Sequence, residues 1–251
     1  MVMEIEKCKG DVFKASNGGG FIITKYVGCN EVYIKFLETG YETVTSNNHI
    51  ESGKIRDRLR PSVCGVGILG FSDTKCGDER LKEYLLWKDM ITRCYSKKSL
   101  SRKPSYLGCK VSNNFLHYDY FKDWCHKQIG FSNEGWHLDK DILIKGNKIY
   151  SEDTCCFVPQ EVNSLFVKSN ARRGECLVGV TYRKDRKKYK AGMNNTEGSS
   201  FIGHFDTELE AFQAYKQTKE SKVREVAELY KDRIDPRVYE ALMNYVVEIT
   251  D

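Results

Sequence analysis

Gly179 to Gln217, GVTYRKDRKKYKAGMNNTEGSSFIGHFDTELEAFQAYKQ, alternates apolar and polar residues and then changes period. Leu177–Val180, Tyr189–Met193 and Phe201–Phe205 read as three short strands at a period of two. Thr207 and Glu210 then make a Thr-x-x-Glu capping box, in which each side chain accepts from the other residue's backbone N–H at a helix start. The helix that follows carries Val223, Val226, Ala227 and Tyr230 along one stripe. Asp235, with Pro236 at the first helical position, starts a last helix holding Val238, Ala241, Leu242, Tyr245, Val246 and Ile249. A helix laid on one side of such a sheet leaves its other side bare.

Charge is concentrated at that sheet. The chain has 251 residues and a net charge of +5, yet Ala171–Lys190 alone holds eight basic residues against two acidic ones. Arg183, Lys184, Arg186, Lys187, Lys188 and Lys190 lie in or beside the first hairpin. A two- or three-stranded ribbon fits the major groove, where Arg reads guanine and Lys neutralises phosphate, so double-stranded DNA is the expected partner. The plainer alternative is a solvated hairpin tip. A second basic stretch, Arg93–Lys110, has six basic residues and no acid, which again points to a polyanion.

Upstream, Trp136–Phe166 reads WHLDKDILIKGNKIYSEDTCCFVPQEVNSLF. Leu138, Ile142 and Ile144 sit among polar residues, Gly146-Asn147 is a two-residue turn signal, and Ile149-Tyr150 begins the return. Cys155–Val158 is a second extended piece, and Pro159 is placed to open a helix carrying Val162, Asn163 and Phe166. The order is strand, turn, strand, helix. Earlier still, Trp87, Met90, Ile91 and Cys94 fall on one face of an amphipathic helix. A polar loop, Ser96–Ser105, and a second aromatic helix with Phe121 and Trp124 follow. Phe21–Gly70 reads as β structure, with Phe21, Ile23, Val32, Ile34 and Phe36 on one face and turns at Gly28-Cys29-Asn30 and Thr39-Gly40. The expected class is α+β in three modules: a small β-barrel-like module over 1–75, a helical and hairpin module over 76–170, and the sheet with its helix over 171–251.

With 40% hydrophobic residues and only 4 prolines the chain is not a disordered one. No apolar run approaches the ~20 residues that cross a bilayer, and Met1–Gly10 mixes both signs of charge, so no membrane association and a soluble, intracellular protein are expected. Ten cysteines occur without any C-x-x-C spacing. They read as reduced, buried thiols, with a structural zinc site from Cys94, Cys109, Cys155 and Cys156 as the alternative.

Two resemblances add to this. Gly179, Val180, Tyr189, Ala191, Ile202, Gly203, Phe205, Thr207, Glu210, Ala211, Ala214 and Tyr215 resemble the APETALA-type DNA-binding domain, over about 50 residues. Tyr189, where tryptophan is common, and Gly192 depart from that pattern. The likeness implies that Arg183, Arg186, Lys188 and Lys190 face the groove. Trp136–Phe166 resembles the HNH (ββα-metal) nuclease unit as it occurs in bacteriophage and homing-endonuclease-like proteins. Shared landmarks extend upstream to Trp87, Met90, Arg93-Cys94-Tyr95, Tyr106, Cys109, Phe121 and Trp124.

By that second likeness Asp139 and Asn163 would hold Mg²⁺ or a similar divalent ion, with Asp141 completing a carboxylate pair. Lys140 stands where the family has its histidine base and would position phosphate, and Thr154 stands where Asn is usual. His137, two residues before Asp139 and on the same strand face, is the substitute base. The implied activity is metal-dependent DNA cleavage in the cytoplasm of a bacterial host. The alternative is a DNA-binding regulator or anti-host factor whose nuclease fold has lost its chemistry, and a protein-binding factor using its basic patches is a third reading.

Overall fold

The computed structural model describes residues 10–166, 175–195 and 198–250. Ala171–Gly174, which open the first basic stretch, lie outside the described residues. The chain is α+β and divides into two compact units between Cys125 and His126.

In the first unit, β1 (Val12–Lys14), β2 (Gly20–Gly28), β3 (Glu31–Phe36) and β4 (Glu42–Thr45) form an antiparallel meander in the order β1-β2-β3-β4. Phe21, Ile23, Val32, Ile34 and Phe36 are buried on one face, as the period-two pattern requires. The expected barrel is not there. The sheet is open, because β1 has three residues and β4 four, too few to curl its edges together. The chain leaves β4 directly into α1 (Asn47–Glu51) instead of continuing as β structure.

A short hairpin, β5 (Lys75–Cys76) and β6 (Glu79–Arg80), precedes α2 (Lys82–Tyr95), α3 (Lys97–Arg102), β7 (Lys110–Val111) and α4 (Tyr118–His126). Trp87, Met90, Ile91 and Cys94 are all buried along α2, and the Trp87 indole N–H donates to the Phe115 carbonyl at 2.8 Å. Tyr118, Phe121 and Trp124 of α4 complete an aromatic core with Phe115. Ser96–Ser105 is not a plain loop: the Ser96 hydroxyl caps α3 by accepting from the Ser99 N–H.

The second unit opens with β8 (Trp136–Asp139), β9 (Ile149–Tyr150), β10 (Cys156–Pro159) and α5 (Gln160–Ser164). β8 pairs antiparallel with β10, Asp139 opposite Cys156 and Trp136 opposite Pro159. The return strand is therefore Cys156–Pro159, not Ile149-Tyr150, and Pro159 ends it as the helix N-cap. The last elements are β11 (Val180–Arg183), β12 (Lys188–Asn195), β13 (Gly198–Phe205), α6 (Glu208–Tyr230) and α7 (Pro236–Met243). β11-β12-β13 is an antiparallel sheet, and the capping box at Thr207–Glu210 is formed at both ends.

At 23 residues, α6 is about 34 Å long and serves two cores. Its first half puts Ala211, Phe212 and Tyr215 on the three-stranded sheet. Its second half puts Val223, Val226 and Ala227 against Cys156, Val158, Val162, Val238 and Leu242. Lys219, on the same stripe between them, is buried and donates to the Leu165 carbonyl; desolvation lowers its pKa to about 8. α7 stops at Met243, short of Ile249. The Val247 N–H donates to Glu220 Oε1 at 2.9 Å and the Val247 carbonyl accepts from Lys216. That clamp holds Val247, beyond the helix end, in the sheet core.

Candidate nucleic-acid interface

The bare side of β11-β12-β13 follows from parity. Val180, Ala191 and Tyr189 turn toward α6, so their neighbours Thr181, Arg183, Lys188 and Lys190 turn away. A bulge between Ala191 and Gly192 shifts the register. Beyond it Phe201 stands on the outer side, 57% exposed, with the Lys190 ammonium 5.7 Å from its ring and the His204 ring 5.0 Å away. Lys190 lies directly across from His204. The pKa of His204 falls below the usual imidazole range, through desolvation first and then through the positive charges of Arg186, Arg183 and Lys190.

The hairpin turn runs Lys184 to Lys187, closed by the Arg186 N–H on the Arg183 carbonyl and by Lys187 at φ +50. Lys184, Arg186 and Lys187 are exposed, and Lys188 and Lys190 half-buried. Arg183 pairs with Asp185 at 3.1 Å and Lys188 with Asp206 at 3.0 Å. Both pairs are solvent-exposed, and exposed ion pairs contribute little to stability. Sequence reasoning missed Phe201 and His204. Strand parity could have flagged His204, and Gly192 inside a strand is the sequence signal for the bulge that turns Phe201 outward.

At the β8–β10 hairpin the same residue types turn inward. The Asp139 carboxylate accepts from the Asp141 and Ile142 N–H groups at 2.7 and 2.8 Å, and burial raises its pKa despite those bonds. Lys140 is only 6% exposed. Its ammonium donates to Asp141 Oδ1 at 2.6 Å and to the Asn147 carbonyl at 2.8 Å, over the Tyr150 ring. Asn147 ties the loop further, donating to the Lys140 and Ile149 carbonyls. The Thr154 hydroxyl donates to the Ile149 carbonyl at 2.7 Å and receives the Ser151 N–H.

Asp139, Lys140, Asp141 and Asn147 are thus one network. Asn163 lies on α5 beside β8, and among the described residues no hydrogen bond joins it to that network. His137 is exposed, opposite Val158. Both N–H donors reach Asp139 Oδ1 and the Lys140 ammonium takes Asp141 Oδ1, so in this arrangement one oxygen of each carboxylate holds the loop. Among the described residues no group of three or more His, Cys, Asp or Glu side chains could hold an ion.

Cys94, Cys109, Cys155 and Cys156 are all buried. Burial pushes the Cys155 thiol up to about 12 and the Cys156 thiol higher than ordinary, so in the metal-free fold both stand as neutral thiols. No described helix is long and apolar enough to cross a membrane. No family model, curated protein or solved structure matches the chain.

Proposed function

We propose that this chain binds double-stranded DNA through the bare face of β11-β12-β13. The observation that carries the reading is the outward row of Arg183, Lys188 and Lys190 on the face opposite α6, with Lys190 and His204 beside the exposed Phe201 ring. Long cations meet phosphates on the walls of the groove, while the sheet's ridge is narrow enough to enter it. On this reading the β8–β10–α5 unit is an HNH-like scaffold that has become structural, its carboxylates holding a loop, and the protein acts as a DNA-binding regulator.

A second reading, metal-dependent cleavage, is favoured by the strand–loop–strand–helix order and by the exposed His137 on the strand that carries Asp139. One experiment separates the two. The intact chain is incubated with supercoiled plasmid and Mg²⁺ or Mn²⁺, beside Asp139→Ala and His137→Ala, with a gel-shift assay on the same DNA. A shift without nicking is expected. Nicking lost in both variants supports the nuclease, and absence of a shift at low salt rejects both readings.

A further inference from the structure

In the first unit, α2 ends at Tyr95 and the chain folds at once into α3, a single turn at Pro104–Tyr106 and the Leu107–Cys109 bend. This knuckle carries six basic side chains and no acid from Arg93 to Lys110. Arg93 is engaged: it pairs with Asp89 and lies 5.7 Å from the Tyr106 ring. Lys97, Lys98, Arg102, Lys103 and Lys110 are exposed. Among the described residues no hydrogen bond, ion pair or ring contact engages their charged ends.

The arrangement works against the local fold. Lys98 and Arg102 are like charges at i and i+4, which repel on a helix. Lys97 and Lys98 occupy the first turn of α3, where the helix dipole favours anions, not cations. Substituting Gln or Glu would suit the helix better, so an external anion is the natural compensating partner. Leu107 is the single large apolar side chain strongly exposed within this segment. The patch thus offers charge without an apolar recess or a set of directional acceptors. Exposed cations without an apolar centre suit the repeating, sequence-independent charge of a nucleic-acid backbone, whereas a protein partner is expected to meet an apolar centre with a polar rim.

We propose that Lys97, Lys98, Arg102, Lys103 and Lys110 form a second phosphate-binding surface for nucleic acid, carried by the first unit and independent of the C-terminal sheet. Two anchoring surfaces on one chain engage more phosphates than the sheet alone, which steepens the salt dependence of binding without altering sequence preference.

The test uses the full chain and a 30-base-pair duplex of arbitrary sequence, with affinity measured across a salt series. The knuckle variant combines Lys97→Gln, Lys98→Gln, Arg102→Gln and Lys103→Gln; the sheet variant combines Arg183→Gln, Arg186→Gln and Lys190→Gln. Each neutralised phosphate contact contributes a slope of about 0.9 in log K against log salt. The knuckle variant, short of four cations, is therefore expected to flatten the slope by up to about 3.6, with its circular dichroism unchanged. An unchanged slope in the knuckle variant, with a flattened one in the sheet variant, overturns the second surface and leaves the first reading intact. The reverse pattern overturns the sheet reading and sustains the knuckle. Displacement of the duplex from the sheet variant by poly-glutamate at lower charge equivalents than by unlabelled duplex shows an acidic-protein site and overturns the assignment.

Discussion

On the three-stranded sheet Arg183, Lys188 and Lys190 stand on an open face, whereas at the β8–β10 loop Lys140 is folded under and tied to Asp141 and Asn147. Both regions mix Lys, Asp and aromatic residues in short hairpins. The difference lies in where the cations are. In the sheet both partners of each pair, Arg183 with Asp185 and Lys188 with Asp206, reach solvent, so the pairs exchange readily with an outside anion. In the loop the Asp141 carboxylate is exposed but the Lys140 ammonium is buried, and removing its partner leaves a buried charge, which is strongly unfavourable. Exposed charge is free to bind; enclosed charge holds the chain together.

The sharpest way to break this contrast uses two glycines with the same backbone angle. Gly179 and Gly146 both have φ +76. A Cβ at Gly179 would lie 2.2 Å from the Tyr215 ring, whereas Gly146 has open space. Gly179→Ala is expected to lose about 3 kcal/mol or more, from strain plus overpacking, and DNA binding with it. Gly146→Ala is expected to lose about 1 kcal/mol. Urea denaturation measures both, and equal losses would mean the sheet does not depend on the Tyr215 contact.

Lys219 sits where the two cores meet on α6. Its pKa is depressed in the fold, so the native state binds its proton less readily than the unfolded chain does. Stability from this group is present above the ordinary lysine pKa and is lost as pH falls through about 8. The chain is expected to gain about 2 kcal/mol between pH 7 and 10 from this residue alone. Lys219→Met should remove that gain. A pH profile of unfolding that the substitution leaves unaltered contradicts the burial.

Asp139 gives an effect no larger than that of Lys219 and a more discriminating one. Asp139→Ala leaves two N–H donors without their acceptor and is expected to lose about 2 kcal/mol, while Asp139→Asn, which keeps an acceptor oxygen, loses under about 1. Both losses should be the same in EDTA and in Mg²⁺, as a loop-closing role demands. A Mg²⁺-dependent rise in the unfolding midpoint of the wild type, absent from both variants, would move Asp139 back to a metal site.

Much of this architecture was legible in the residues. Periodicity located the meander, α2, α4 and the three-stranded sheet, and the capping box located the start of α6. The pairing of β8 was not legible. Gly146-Asn147 has the composition of a tight turn, yet the Asn147 side chain spans the loop to Lys140 and Ile149 and pushes the return strand out to Cys156. The fate of the Asp139-Lys140-Asp141 run was hidden for a related reason. Burial of Lys140 depends on Tyr150 and Asn147, which only the folded loop brings near. The reach of the last helix was overread because Val247 is held by Lys216 and Glu220, a tertiary contact with no local signature.

The most direct measurement is anisotropy of a labelled duplex with the full chain and with Arg183→Glu plus Lys190→Glu, which reverse charge on the bare sheet face beside His204. Both positions are open to solvent or half so, and the fold is expected to stay intact by circular dichroism and thermal unfolding. The account predicts at least about a hundredfold weaker binding in the variant at low salt, with the difference shrinking as salt screens the surface. Equal affinity of a well-folded variant and the wild type, across the salt range, would contradict it.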